Sequence, residues 1–258
     1  MAILTVDNGN RLYYDLLDGE PGKPHLIFLH DALGCTAMWK EFPRQLCEKT
    51  GCPGLVYDRR GHGKSSLPPG LRTIHYLHHC ALTELSAVIA LLLPATSYFL
   101  IGHSDGGSIA LIHASEKPAY LRGIITEAAH VFVEKETLAG IETATVAFNA
   151  GKLHGLSDYH GDKTEAIFKA WSDTWRGDNF KSWSIEYLLP LIECPALVLQ
   201  GSEDRYGTVA QVESIASKAL VVEKMVIEGS GHVPHHEKTE MVLQVMSEFL
   251  LRQMENGN

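Results

Sequence analysis

One short motif constrains the fold of this chain more than any other feature. Residues Ser97–Ile101 predict a buried strand, and Gly-His-Ser-Asp-Gly at 102–106 follows it directly before a predicted helix. A G-x-S-x-G pattern in this position predicts a tight strand-to-helix turn, because glycine lets the two backbones approach without a Cβ clash. The turn exposes the Ser104 hydroxyl at a helix N-terminus, where negative charge is favoured. We therefore predict that Ser104 is a nucleophile rather than an incidental serine in a glycine-rich turn.

Short apolar runs alternate with helical patterns along the chain, which is typical of an α/β fold with a mostly parallel sheet flanked by helices. The predicted strands are Ala2–Val6, Arg11–Leu17, His25–His30, Gly54–Tyr57, Ser97–Ile101, Leu121–Thr126, Ala196–Gln200 and Lys224–Ile227. Asn8-Gly9, between the first two strands, predicts a hairpin turn. Helices are predicted at Met38–Lys49 and from about Glu237 to Met254. The expected sheet has eight strands.

The segment 130–189 interrupts this alternation. It carries several aromatic residues, among them Trp171, Trp175 and Trp183, and its pattern is helical in pieces. We predict a helical cap inserted after the sixth strand, with a core formed by residues 1–129 and 190–258. The alternative is a set of ordinary surface helices. Because cap aromatics also pack against the core, no individual substrate-binding residue is assigned.

A serine hydroxyl needs a base within hydrogen-bond reach and a third group that orients this base. In chains with this motif the three groups follow the order Ser, Asp or Glu, His. Asp204 lies in the loop after the predicted strand Ala196–Gln200, and His232 lies in the loop after Lys224–Ile227. Both loops leave the carboxyl ends of strands, where open α/β sheets form their active sites.

Two glutamates compete with Asp204 for the role of the acid. Glu203 is its direct neighbour, and Glu127 follows the sixth predicted strand. Spacing and loop context favour Asp204.

Two further motifs in the first 65 residues are similar to loops that occur together with the serine motif in one known superfamily. His-Asp-Ala-Leu-Gly at 30–34 is similar to an H-G-x-x-G loop, and residues 58–65 are similar to a D-x-x-G-x-G-x-S loop. With the serine motif and the Asp and His loops, they make the chain resemble the α/β-hydrolase superfamily from Leu26 to Leu251. The chain is similar to a capped, single-domain, esterase-like serine hydrolase. The likeness is specific for the fold and the catalytic residues, but it indicates little about the substrate.

The resemblance implies a role for each matching residue. Ser104 is the expected nucleophile, Asp204 the acid and His232 the base. The backbone N–H groups of Ala32 and Asp105 are the expected oxyanion hole. The implied reaction is acyl transfer to water, without a cofactor.

The chain departs from the family at two positions. Asp31 stands where the family has glycine, so its carboxylate either repels a carboxylate substrate or points to solvent. Asp105 follows the nucleophile, where an apolar residue is more common, and we attribute its charge to the helix N-terminus. We expect structural roles for His30, His62 and His103, and Arg59 and Arg60 are interpreted as a structural pair near the serine.

Composition excludes several classes of protein. Of the 258 residues, 45% are hydrophobic and 21% are charged, which suits a globular enzyme. The net charge of −9 without a basic patch argues against nucleic acid or an anionic membrane as partner. The five scattered cysteines predict reduced thiols in a cytoplasmic protein. The histidines lack a metal-ligand motif, so no metal is expected.

The expected function is cleavage of a small to medium carboxylic ester, lactone or thioester through an acyl-enzyme on Ser104. The expected partner is a small-molecule acyl substrate, and the oligomeric state stays open. One alternative is a carbon–carbon bond hydrolase or lyase of the same fold. Another is a ligand receptor with slow or no turnover, since a fold does not determine a function. Dehalogenases and epoxide hydrolases of this fold use an aspartate nucleophile, and position 104 is serine.

Overall fold

A single mixed sheet forms the centre of the molecule. The structure is a computed structural model that describes residues 2–6, 9–67 and 72–256. In this part of the chain the strands are β1 (Ala2–Val6), β2 (Asn10–Leu17), β3 (His25–Leu29), β4 (Gly54–Tyr57), β5 (Tyr98–His103), β6 (Leu121–Glu127), β7 (Ala196–Gly201) and β8 (Val222–Ile227). Their order across the sheet is β1-β2-β4-β3-β5-β6-β7-β8. The pairs β1–β2 and β2–β4 are antiparallel and the other pairs are parallel, which confirms the predicted α/β fold with a mostly parallel eight-stranded sheet.

Helices cover both faces of this sheet. They are α1 (Phe42–Thr50), α2 (Tyr76–His79), α3 (Leu85–Leu92), α4 (Asp105–Ser115), α5 (Lys135–Asn149), α6 (Ser157–His160), α7 (Thr164–Arg176), α8 (Val209–Lys218), α9 (Pro234–Glu237) and α10 (Thr239–Glu255). A π-helical turn, Cys80–Glu84, joins α2 to α3. None of the helices within the described ranges has both the length and the apolar character required to cross a bilayer.

The central strands are buried on both faces, and alternate residues face opposite layers. In β3, Leu26 and Phe28 belong to an apolar cluster that includes residues of α1 and α10. Ile27 and Leu29 belong to a second cluster, on the other face, that includes residues of α4 and α8. The nearly continuous apolar runs of the sequence thus correspond to strands covered by helices on both sides.

The structure shifts several predicted boundaries. The predicted helix Met38–Lys49 is divided into a 3₁₀ turn, Thr36–Trp39, and α1, because Lys40 has a φ of 53° and interrupts the helix. The last helix, predicted from about Glu237, is α10 and begins at Thr239, after the short helix α9 that ends at Glu237. Strands β1 and β2 pair as predicted, whereas Asn8 of the predicted turn lies outside the described residues.

Helices α5, α6 and α7 and several 3₁₀ turns lie between β6 and β7, in the range where the sequence analysis places a cap. We call residues 130–189 the insertion. Polar contacts attach it to loops of the core. Lys163 donates hydrogen bonds of 2.6 Å to the carbonyls of Gly63 and Ser65, and His160 Nε2 lies 2.8 Å from the carbonyl of Leu33. Trp175 Nε1 donates to the hydroxyl of Tyr76 at 2.9 Å.

The turn between β5 and α4 leaves no room for side chains at its glycines. A Cβ built on Gly106 lies 1.9 Å from the carbonyl oxygen of Leu29, at the end of β3. Helix α4 therefore approaches the strand ends at backbone distance.

We expect Gly106→Ala to destabilise the protein, although alanine is favoured over glycine by about 1 kcal/mol inside a helix. The overlap with Leu29 forces α4 away from β3, at a cost of about 1–3 kcal/mol. Gly155→Ala is the matched control, because a Cβ at Gly155 meets no atom within 4 Å. Urea unfolding of the three proteins measures the difference. A Gly106→Ala protein as stable as the control would contradict this account of the turn.

Candidate active site

Ser104 occupies the turn between β5 and α4 in a strained conformation. Its φ is 54° and its ψ is −115°, a region that non-glycine residues rarely adopt. Its N–H donates to the carbonyl of Glu127 at 2.8 Å, which ties the turn to the end of β6. A Cβ on Gly102 would lie 2.2 Å from the carbonyl oxygen of Gly106, so the motif glycines are sterically required. The turn holds the Ser104 side chain at the carboxyl edge of the sheet.

The loops after β7 and β8 bring a histidine and a carboxylate to this serine. His232 Nε2 lies 3.0 Å from Ser104 Oγ. On the other side of the ring, Nδ1 lies 2.8 and 2.9 Å from the two carboxylate oxygens of Asp204. Because a carboxylate only accepts, Nδ1 carries the proton in the neutral ring and Nε2 is free to accept the serine proton. The structure thus joins the three residues that the sequence analysis selected.

Further donors fix the orientation of the Asp204 carboxylate, whose side chain is inaccessible to solvent. The N–H of Tyr206 donates to Oδ1 at 2.8 Å, and Gln200 Nε2 donates to Oδ2 at 2.6 Å. Burial alone would raise the pKa of Asp204, but the hydrogen bond and charge of His232 and the hydrogen bond from the N–H of Tyr206 lower it. Gln200 and Tyr206 were missed by the sequence analysis. The signal for Gln200 is a polar residue at the end of an otherwise apolar strand.

Opposing effects act on the pKa of His232. Burial lowers it, whereas the hydrogen bond and charge of Asp204 raise it, and the charges of Asp31 and Glu127 raise it further. The carboxylates prevail, so the pKa of His232 lies above its usual value. An imidazolium formed during proton transfer is therefore stabilised at this position.

The two competing acids have other surroundings. Glu127 is buried, and its carboxylate contacts Nδ1 and the N–H of His235 at 2.6 Å each, not the ring of His232. Burial raises the pKa of Glu127, but its contacts with His235 lower it on balance. Glu203 is exposed beside Asp204. His235 is a residue that the sequence analysis did not select as a partner.

Two of the remaining histidines brace backbone near the site. His103 Nε2 lies 2.7 Å from the carbonyl of His232 and donates to it. Burial, together with the nearby His235, lowers the pKa of His103 to about 4, so this ring is neutral near pH 7. His30 Nε2 accepts the N–H of Arg59 at 3.0 Å.

The backbone N–H groups of Asp105 and Ala32 are the oxyanion donors that the sequence analysis expects. Asp105 is the first residue of α4, where a helix leaves its N–H groups without an intrahelical partner. Ala32 lies in the loop after β3, and its carbonyl lies 3.0 Å from His62 Nε2. Within the described residues, neither the Ala32 nor the Asp105 N–H donates a hydrogen bond to another protein group. Both remain available to a ligand.

Asp31 contributes an uncompensated charge to this region. It is partly buried, and within the described ranges its carboxylate makes no hydrogen bond or ion pair. Its charge raises the pKa of His232, but by less than the charge of Asp204 does. The other carboxylates near the serine are paired, Asp105 with Arg59 and Glu127 with His235.

Two cavities are lined by residues adjacent in sequence to Ser104, His232 or Asp204, although not by these three residues themselves. A cleft of about 100 Å³ between the loop after β3 and the loop after β8 is lined by residues that include Asp31, Trp39 and His103. A wider groove of about 380 Å³ lies between α5 and the loop after β7, where Tyr206 forms one wall. The Tyr206 ring lies 4.7 Å from the ring of His232. His, Cys, Asp and Glu side chains in the described ranges form no group of three with metal-binding geometry.

The chain is similar to proteins of known name. The sequence pattern described as Alpha/beta hydrolase family matches residues 26–245. A 2-succinyl-6-hydroxy-2,4-cyclohexadiene-1-carboxylate synthase of Enterobacter sp. (strain 638) is 29% identical over 153 residues, which cover 59% of this chain and 54% of that protein. An sn-1-specific diacylglycerol lipase of Danio rerio is 30% identical over 114 residues, covering 44% of this chain and 34% of the lipase. The chain thus spans about half, or less, of the length of these curated relatives.

Solved structures extend the likeness over nearly the whole chain. The structure of a carboxylesterase from Nitrososphaera gargenis has a TM-score of 0.80 and 20% sequence identity, and the match covers 99% of this chain and all of that one. At this identity the likeness shows the fold alone. Because the family pattern covers most of the sequence and the fold agrees with it, this chain belongs to the alpha/beta hydrolase family.

Proposed function

We propose that this protein is a serine hydrolase that cleaves a small to medium carboxylic ester, lactone or thioester through an acyl-enzyme on Ser104. The observation that carries the proposal is the hydrogen-bond chain in which His232 lies 3.0 Å from Ser104 Oγ and 2.8 Å from Asp204. This arrangement supplies a nucleophile, a base and a group that orients the base. The relative named as a lipase and the structurally similar carboxylesterase are consistent with it.

The reaction follows from the atoms in place. His232 Nε2 takes the Ser104 proton as Oγ attacks the carbonyl carbon, and the carbonyl oxygen becomes an oxyanion that accepts from the N–H groups of Ala32 and Asp105. The oxyanion collapses, the bond to the leaving group breaks, and His232 protonates the leaving oxygen or sulfur. Water then attacks the acyl-enzyme by the same route, and the free acid and Ser104 are regenerated. Asp204 stabilises the imidazolium in both halves.

Electrostatics favour a substrate without negative charge. Asp31 lies beside the oxyanion donors without a countercharge, and the guanidinium of Arg59 is engaged by backbone carbonyls and Asp105. A carboxylate on the substrate would therefore be repelled near the reacting carbonyl. The groove beside Tyr206, lined largely by small and aliphatic residues of α5, is wide enough for a short acyl chain.

A carbon–carbon lyase is the second candidate, because several curated relatives are named as synthases of a succinyl-substituted carboxylate. A ligand of that kind carries negative charge, which Asp31 disfavours. We therefore rank ester cleavage first.

We expect a fluorophosphonate probe to label Ser104 and the protein to hydrolyse p-nitrophenyl esters of short acids. Ser104→Ala should abolish labelling and lower kcat by at least about 10³-fold, since the nucleophile is then missing. Ser115→Ala, at the other end of α4, is the control and should keep both properties. Labelling by mass spectrometry and initial rates measure the outcome. If Ser104→Ala retains the activity and the wild type is not labelled, the proposal is wrong; labelling without turnover would favour the receptor alternative.

We expect the labelling rate to fall as the pH decreases through the raised pKa of His232, because only the neutral ring accepts the serine proton. Asp31→Asn removes a charge that stabilises the imidazolium. The pKa of His232 then decreases, and the acidic limb of the pH–rate profile moves to lower pH. Glu203→Gln removes the same charge at an exposed site and should move the limb less. An acidic limb that stays in place in Asp31→Asn would contradict the role of this carboxylate.

A charge series of thioesters tests the substrate preference separately. We expect acetylthiocholine and its uncharged isostere, 3,3-dimethylbutyl thioacetate, to be cleaved with higher kcat/KM than the S-acetyl derivative of 3-mercaptopropionate. In Asp31→Asn the discrimination against the anion should decrease on the order of fivefold, as one charge near the site is removed, and added salt should reduce it in the wild type. Equal discrimination in both proteins would show that Asp31 does not select substrates.

A further inference from the structure

A buried arginine contacts the loop that carries one of the two oxyanion donors. The Arg59 side chain is 1% exposed. Its Nη2 donates to the carbonyl of His30 at 3.1 Å and to the carbonyl of Asp31 at 2.6 Å. These contacts fix the backbone immediately before Ala32.

The Asp31 carbonyl and the Ala32 N–H belong to the same peptide, so contacts that fix the carbonyl also fix the direction of the N–H. In a trans peptide the C=O and the N–H point in opposite directions. The Asp31 carbonyl accepts from Arg59 and, at 2.8 Å, from Nδ1 of His30. The Ala32 N–H must then point away from both groups. Arg59 thereby sets the direction of this donor without touching a substrate.

The same guanidinium reaches the residue that supplies the second donor. Arg59 Nη1 lies 3.7 Å from Asp105 Oδ2, and the Asp105 side chain is 2% exposed. Tyr76 donates its hydroxyl proton to this carboxylate, with its oxygen 2.9 Å from each carboxylate oxygen. Asp105 is the first residue of α4, so the contacts of its carboxylate restrain the same residue that bears the second N–H donor.

We propose that Arg59 and Asp105 act as a positioning pair that holds the Ala32 and Asp105 N–H groups at the separation an oxyanion requires. The inference rests on the proposed function, since it assigns a purpose to the two donors. A buried ion pair is in general a weak source of stability compared with apolar residues of the same volume. Preorganised donors, in contrast, act strongly on the transition state. The departure from the family pattern at Asp105 is thus explained by Arg59 rather than by the helix N-terminus alone.

The test compares an ester with its thionoester, in which sulfur replaces the carbonyl oxygen. Sulfur is a poorer hydrogen-bond acceptor, so well-placed N–H groups accelerate the ester more than the thionoester. We expect Arg59→Met to lower kcat for p-nitrophenyl acetate by about 10²-fold, as expected for the loss of one oxyanion donor, with little change in KM. The thionoacetate should lose much less, so the ratio of the two rates falls. Arg59→Lys should restore part of the ratio, because lysine keeps the charge but not the fork of donors.

The neighbouring arginine provides the matched control. Arg60 follows Arg59 in the loop after β4, and its Nε lies 3.5 Å from the buried carboxylate of Glu84. Arg60→Met breaks a buried pair, so its melting temperature should fall, but its ester-to-thionoester ratio should stay at the wild-type value. If Arg59→Met lowers both rates equally, or if both arginine variants change the ratio alike, the positioning role is overturned.

A third variant keeps the test decisive should Arg59→Met fail to fold. Asp105→Asn preserves shape and the backbone N–H but removes the charge that holds Arg59. Its ratio should fall less than that of Arg59→Met, and an unchanged ratio in a folded protein would refute the pair. Fluorophosphonate labelling of the wild type separates the two proposals: labelling with an unchanged ratio rejects only the positioning pair, whereas absence of labelling at Ser104 rejects the hydrolase as well.

Discussion

The backbone-to-backbone contact between α4 and the ends of β3 and β5 is the constraint on which the site depends. It requires glycine at 102 and 106, and it forces Ser104 into a φ of 54°. This strain persists because the surrounding contacts overdetermine it, among them the hydrogen bond from the Ser104 N–H to the carbonyl of Glu127. The loops after β3, β7 and β8 have only to reach the edge of the sheet where this turn lies. The side chains of Ser104, His232 and Asp204 are therefore positioned by the rigid sheet rather than by the loops alone.

Charge in the site is arranged as pairs with one exception. Asp204 is paired with His232, Glu127 with His235 and Asp105 with Arg59. Burying a carboxylate is costly unless hydrogen bonds and a nearby basic group compensate it, and each of these three accepts hydrogen bonds and lies beside a basic side chain. In the described part of the chain Asp31 has neither. An unpaired charge is tolerated there because the residue retains partial contact with solvent. Its electrostatic effect is thus available to act on a substrate and on His232.

The strands could be predicted from the sequence, and so could the proximity of the three side chains in the hydrogen-bond chain, because both depend on local patterns. Buried strands are apolar runs, and Ser104, Asp204 and His232 each follow such a run. The contacts of Arg59 and His235 could not be predicted, since they join segments distant in sequence, 46 residues apart for Arg59 and Asp105 and 108 for Glu127 and His235. The break at Lys40 was missed because its positive φ has no glycine or asparagine to indicate it.

The polar contacts between the insertion and the core involve residues other than those that line the groove beside Tyr206. His160 and Lys163 contact main-chain carbonyls of Leu33, Gly63 and Ser65, not their side chains. These contacts from the insertion restrain the loop after β3 and the loop after β4. Arg59 also restrains the loop after β3, through its hydrogen bond to the carbonyl of Asp31. Side chains of α5 that line the groove beside Tyr206 take no part in these contacts. Substitutions along α5 can therefore alter the shape of the groove while the N–H groups of Ala32 and Asp105 and the ring of His232 keep their positions.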